Sequence, residues 1–165
     1  MYKLLIILLF LLSPAIQAAD YPVRPIRLVV AYAPGGTTDF AARVTAPKLS
    51  ELLGQTVVVD NRPGASGNLG VEVAANANAD GHTILLGNIG AMAINPNLFK
   101  SFPVKPLRDF IAVSQVVDVP GAMVVHPSVP AKTAQEFIAL AKTKSGALNY
   151  ASGGTGMSNH LASEL

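Results

Sequence analysis

Cysteine and tryptophan are absent from the 165 residues, aromatic side chains make up only 6%, and only 13% of positions are charged. Without cysteine there is no disulfide scaffold, no thiolate-ligated zinc or iron–sulfur centre, no cysteine nucleophile and no lipid-anchoring thiol. The formal charge is +2, close to neutral, and no cluster of Lys and Arg occurs. A nucleic-acid groove needs a basic stripe that displaces counterions, so nucleic acid is not expected as a partner. Low charge goes with a mean hydropathy of +0.41. That excludes a disordered tail, whose few apolar groups could not offset the entropy of ordering.

Part of the apolar excess lies at the N-terminus. Met1-Tyr2-Lys3 is a short positive start, Leu4 to Leu12 is an unbroken apolar run, Ser13-Pro14 breaks it, and Ala18-Ala19 offers small residues for cleavage. This order reads as a secretory signal peptide over residues 1–19. The run has nine residues, against the roughly 20 needed to span a bilayer. The protein is therefore expected to be exported, and without cysteine it must be stabilised by its core.

After residue 25, apolar runs alternate with helical patterns. Ile26 to Ala31 (IRLVVA) is a continuous β-favouring run suited to a strand buried on both faces. Ala33-Pro34-Gly35-Gly36 interrupts it, and Thr37 or Thr38 is placed to cap a helix reaching about Leu53. Pro47 inside that pattern predicts a kink or a short break. Gly54 ends the helix and Thr56 to Val59 reads as the second strand. Asn61-Arg62-Pro63-Gly64 is a turn, Leu69 to Ala75 a helix, and Asp80-Gly81 a turn before a third strand, Thr83 to Leu86. Strand–helix repeated in this way predicts an α/β fold with a parallel sheet and crossover helices. Beyond Pro103–Pro106, strands are predicted over Phe110 to Val117, Ala122 to Val125 and Leu148 to Ala151. Thr133 with Glu136 has the spacing of a capping box for a helix reaching about Lys144. A last helix begins at Met157 or Ser158.

Two Gly-rich loops share one context: a buried strand, a glycine turn, hydroxyl residues, then a helix start. They are Ala33-Pro34-Gly35-Gly36-Thr37-Thr38-Asp39 and Ser152-Gly153-Gly154-Thr155-Gly156-Met157-Ser158. Unpaired N–H groups at a helix start, with glycine allowing close approach, bind a carboxylate or phosphate without any Lys or Arg in the loop. Turn chemistry alone also produces such glycines, and Asp39 fits an N-terminal helix residue favoured by the dipole better than a catalytic acid. A nucleotide-phosphate enzyme domain is the competing reading. It finds Met157 where the Walker motif requires Lys, and Gly64, Gly67 and Gly70 do not have the G-x-G-x-x-G spacing. His82, His126 and His160 lie far apart with no carboxylate at metal-ligand spacing. No G-x-S-x-G elbow is present. Neither an enzyme activity nor a metal or other cofactor is expected.

From Tyr21 onwards the chain resembles the tripartite tricarboxylate transporter receptors, the periplasmic solute-binding proteins of the TctC/Bug family. The resemblance rests on Tyr21-Pro22 with Pro25-Ile26, Pro34-Gly35-Gly36 with Thr38-Asp39, and Asn61-Arg62-Pro63-Gly64-Ala65. It continues through Asp80-Gly81, Asn95-Pro96, Pro106 with Asp109-Phe110, His126-Pro127-Ser128, and Leu148 to Ser152 leading to His160-Leu161-Ala162. It implies two α/β lobes of the type II periplasmic binding-protein topology with a ligand cleft between them. Residues 20–105 would form the first lobe and 106–165 the beginning of the second. The implied ligand is a small carboxylate: a di- or tricarboxylic acid, an aromatic acid or an acidic amino acid. The implied partners are the membrane permease subunits of a tripartite transporter, served by a monomeric periplasmic receptor. Carried over by position, ligand contacts would come from Ala33, Gly35, Gly36, Thr37, Thr38 and Asp39, from Asn88, Ile89, Gly90 and Ala91, and from Ser152, Gly153, Gly154, Thr155, Gly156 and Ser158.

Two residues depart from the family pattern: Thr37 stands where many relatives have a third glycine, and Met157 where many have a small polar residue. The chain also stops at Leu165 about two turns into a helix. The expectation is a fragment of a longer receptor, or a truncated gene remnant, that binds ligand weakly or not at all on its own.

Overall fold

The computed structural model describes residues 20–144 and 146–165; the expected leader over residues 1–19 lies outside them. The apolar run forms β1 (Ile26–Val30), the central strand of a three-stranded parallel sheet with β2 (Val57–Asn61) on one side and β3 (Thr83–Leu86) on the other. Ile26 is level with Val57, and Arg27 with Thr83. Side chains alternate across a strand. Ile26, Leu28 and Val30 pack with Ala42 and Ala46 of helix α1 (Thr37–Leu53). On the opposite face, Ala31 packs with Val71 of α2 (Asn68–Ala75), Ala91 and Val104. Covering both faces explains why the run has no polar alternation. Ile26 is fully buried, so Ile26→Ala is expected to cost about 2–5 kcal/mol through lost burial and a residual cavity, read as a lower urea midpoint.

The start of α1 differs from expectation. Gly36, extended at φ −81° and ψ 171°, holds the N-cap position and makes no side-chain cap. Neither Thr37 nor Thr38 caps the helix, because both already lie within its first turn; Asp39 in the same turn reaches back and accepts from the Gly35 N–H at 2.9 Å. The helix also runs through Pro47 without a break. Proline removes one N–H donor, and the helix carries the loss between turns where Thr45 and Ser50 hydroxyls donate to the carbonyls of Ala41 and Ala46 at 2.8 Å. Gly54 ends it in the left-handed conformation, as expected.

After β3 come a π-helical turn (Gly90–Ile94) and the short helices α3 (Asn95–Leu98), α4 (Pro106–Asp109), α5 (Ala134–Thr143) and α6 (Ser158–Glu164). Thr133 caps α5 as its spacing with Glu136 predicts: Thr133 Oγ1 accepts from the Glu136 N–H at 3.2 Å, while the Glu136 carboxylate reaches back one residue further and accepts from the Lys132 N–H at 2.6 Å. The strands expected over 110–117, 122–125 and 148–151 do not form; among the described residues no ladder includes them. A β-favouring run becomes a strand only where its N–H and C=O groups meet a neighbouring strand. Unpaired, these segments leave Ile111, Val113 and Val124 exposed. No helix among the described residues is long and apolar enough to cross a membrane.

Candidate functional site

In open α/β sheets the binding crevice lies beyond the carboxyl ends of the strands, where successive crossovers leave in opposite directions. With the order β2–β1–β3, that position is beyond the ends of β1 and β3. Residues 33–36 follow β1 and residues 87–91 follow β3, so two of the three segments assigned from the sequence meet there. Tyr32 joins them. Its hydroxyl donates to Asn88 Oδ1 at 2.8 Å, and the same oxygen accepts from the Ala91 N–H at 3.0 Å. Burial pushes the Tyr32 pKa up, so the hydroxyl stays protonated as the donor this bond needs.

Asp39 organises the first loop from below. It is 3% exposed. Its Oδ2 accepts from the Gly35 N–H and from Arg43 Nε, both at 2.9 Å, and its Oδ1 accepts from Asn61 Nδ2 at 2.9 Å. Asn61 Nδ2 also donates to the Tyr32 carbonyl at 3.0 Å, tying the end of β2 to the end of β1. The Arg43 hydrogen bond, then that from the Gly35 N–H, holds the Asp39 pKa down at about 2. Both carboxylate oxygens are therefore engaged within the protein, and Arg43 balances their charge. What the loop presents outward is electroneutral. The N–H groups of Gly36, Thr37 and Thr38 have no hydrogen-bond acceptor among the described residues, beside the Thr37 and Thr38 hydroxyls. A lowered carboxyl pKa adds stability that is present above the unfolded value near 3.8 and lost as pH falls through about 2. Acid titration followed by ellipticity is expected to show loss of structure between about pH 4 and pH 2, with a contribution missing in Asp39→Asn.

Of the residues after β3, Ile89 is exposed, whereas Gly90 and Ala91 are buried and Ala91 lies in the core. In the second Gly-rich loop, Ser152, Gly153, Thr155 and Ser158 are exposed, Gly154 is half-buried and Gly156 is buried. This loop docks onto the first half of the chain. A Cβ added to Gly154 would lie 3.8 Å from Ser66 Oγ, and one added to Gly156 would lie 2.5 Å from Asn95 Oδ1. No hydrogen bond joins residues 33–39 to residues 152–158 among the described residues. The structure thus links Tyr32, at the head of the first loop, with 88–91, and 154–156 with Ser66, Gly90 and Asn95.

The sequence reads Asn61–Ala65 as mainly a structural turn and assigns no ligand contact to Tyr32, Ser66 or Asn95, the last only a landmark of the family resemblance. Ala65 and Ser66 have φ of +46° and +57°, left-handed values that non-glycine residues adopt at a cost and that concentrate at functional sites. The Ser66 carbonyl accepts from Asn95 Nδ2 at 2.9 Å, and Asn95 Nδ2 also donates to Asn68 Oδ1 at 2.6 Å. The available signal was positional, since this turn follows a strand adjacent to the central one. On the outer flank of the same loop lies an open depression of about 260 Å3, lined by Asn68, Leu69, Glu72, Phe99 and Phe102 among others. It is separate from the Gly-rich loops, and the Glu72 carboxylate in its wall opposes an acidic ligand. Among the described residues no group of three or more His, Cys, Asp and Glu side chains is placed to hold a metal ion.

Comparison with known proteins identifies the family and the fold. Residues 41–165 match the tripartite tricarboxylate transporter family receptor. Protein BugT of Bordetella pertussis is 40% identical over 93% of this chain and 48% of its own length. A Rhodopseudomonas palustris protein solved with adipate superposes with a TM-score of 0.83 at 36% identity, covering 88% of this chain and 48% of that one. MatC from the same organism, with bound malate, gives a TM-score of 0.69 at 32% identity over 74% and 42% of the two chains. The chain spans about half the length of the curated relatives it matches. The α/β sheet with flanking helices is that of the periplasmic binding proteins. The chain belongs to the tripartite tricarboxylate transporter receptor family.

Proposed function

We propose that this chain serves a periplasmic receptor, without enzymatic activity, that captures a small dicarboxylate and delivers it to the permease subunits of a tripartite transporter. The receptor acts as a monomer and reaches the periplasm through a leader over residues 1–19. Residues 20–105 supply one lobe and 106–165 the start of the other. The reading is carried by one observation: unpaired N–H groups at the start of α1, beside two threonine hydroxyls, stand at the carboxyl end of the central strand with no net charge in the loop. Such a site selects an anion by oriented dipoles rather than by an opposing charge. Gly36, Thr37 and Thr38 hold one carboxylate, with Ala33 and Gly35 shaping the approach. Asn88 and Ile89 border it, and Ser152 to Thr155 with Ser158 face it from the second loop. Asp39, Gly90, Ala91 and Gly156 support these contacts from beneath. The relatives solved with adipate and with malate support the ligand class.

Because residues 33–39 and 152–158 share no hydrogen bond among the described residues, binding by the chain alone is expected to be weak, near a millimolar dissociation constant, or about −4 kcal/mol. Saturation-transfer NMR suits that range. Adipate is expected to give a transfer signal that malate suppresses, while neutral adipamide gives none. Equal signals from adipate and adipamide would defeat the reading.

A further inference from the structure

Asn95 is fully buried, and its carboxamide orientation is fixed from one side. Nδ2 donates to two acceptors, the Ser66 carbonyl at 2.9 Å and Asn68 Oδ1 at 2.6 Å. Oδ1 therefore points the other way, and there it meets no N–H or O–H donor among the described residues. A buried carbonyl oxygen without a donor is costly, so its surroundings call for a reason. Gly156 lies against it: a Cβ there would sit 2.5 Å from Asn95 Oδ1 and 3.1 Å from Leu98. Gly156 has φ +84°, a conformation glycine adopts freely and other residues do not. Its own carbonyl in turn faces Gly90, where an added Cβ would be 3.2 Å away. The second Gly-rich loop thus packs at Gly156 against the Asn95 oxygen, with no room for a side chain between them. The other end of the same side chain holds the left-handed loop at Ser66.

We propose that Asn95 is a positioning residue that couples the loop after β2 to the second Gly-rich loop and so sets the distance between the two halves of the site. The docking itself is independent of ligand. Only its consequence for affinity rests on the functional reading above. The inference differs from a purely internal role for Asn95 in one respect: the cost of altering Gly156 must depend on what stands at position 95.

A double-mutant cycle tests this. The chain has no cysteine, so Lys48→Cys and Ala162→Cys, both at exposed positions, take nitroxide labels cleanly. The distance distribution between them gives the ratio of docked to undocked second loop. Gly156→Ala is expected to lower that ratio about 100-fold, part of it from the left-handed backbone and part from the clash. In an Asn95→Ala background, where the obstructing oxygen is gone and only the flexible Leu98 tip must give way, the same change should cost little beyond the backbone share of about tenfold. An equal factor in both backgrounds would overturn the proposal. If Asn95→Ala loses the fold, Asn95→Ser takes its place in the cycle, since its hydroxyl still offers a donor toward Ser66. Adipate affinity, measured on the same variants, should fall with the docked fraction. Coupling in the cycle together with an unaltered chain that ignores adipate would defeat the functional reading and support the positioning role.

Discussion

Gly70→Ala is expected to lower the urea midpoint of unfolding by a large fraction, more than any other glycine-to-alanine change in the first half of the chain. Helix α2 crosses the sheet at Gly70 closely enough that a Cβ there would fall 2.5 Å from the Cα of Ala31, 2.7 Å from its Cβ and 2.8 Å from the Arg62 carbonyl oxygen. Two of these three atoms are backbone, and Ala31 is itself fully buried at the end of the central strand run. No side-chain rotation relieves the contact, so α2 must move off the sheet. Overpacking of a well-filled core costs about 1–3 kcal/mol, and more where backbone must shift. Against a native stability of about 5–15 kcal/mol that is a large share. As a control, Gly54→Ala has no atom within 4 Å of the added methyl and should lose only the left-handed penalty of about 1–2 kcal/mol.

Asp39→Ala is the second large effect, and it should separate from the first by its consequences. Removing the carboxylate frees the Gly35 N–H, Arg43 and Asn61 together, and Asn61 is the clasp between the ends of β1 and β2. A fall in melting temperature of roughly 10 °C is expected, measured at neutral pH. The variant should also lose any response to adipate, because the loop no longer aims its N–H groups outward. Asp39→Asn preserves shape but sets an amide donor among donors, so it should retain more stability than Asp39→Ala and still lose binding. Arg43→Ala, which removes a half-exposed partner, should be the mildest of the three. Full binding by Asp39→Ala with an unchanged melting temperature would show that the loop holds its shape without this network.

What was readable from residues alone follows from where the determinants lie. The run IRLVVA carries its own explanation, since a strand covered on both faces has no reason to alternate, and Thr133 with Glu136 specifies a helix start through contacts four residues wide. The helix start at Gly36 is less legible: the threonines fall one and two residues inside the helix, and Asp39 ties that turn to Arg43 and to the distant Asn61. The segments 110–117, 122–125 and 148–151 show the opposite failure. Their local preference is for strands, but pairing is a property of two segments, and no partner meets them among the described residues. Tyr32 and Ser66 look ordinary in sequence, and Asn95-Pro96 marks the family without marking a role for the Asn95 side chain. Their importance comes from bonds to Asn88 and to Asn68, separated by 56 and 27 positions, which no local pattern records.

The most direct test of the central claim is a chemical-shift titration of the backbone amides with adipate, which reads weak binding residue by residue. The account predicts that the largest changes fall on Gly36, Thr37 and Thr38, with smaller ones at Asn88 and Ile89 and across Ser152 to Ser158, while Asp39 keeps its carboxyl shift. Changes centred instead on Leu69, Glu72 and Phe102, around the outer depression, or spread evenly over the chain, would contradict it.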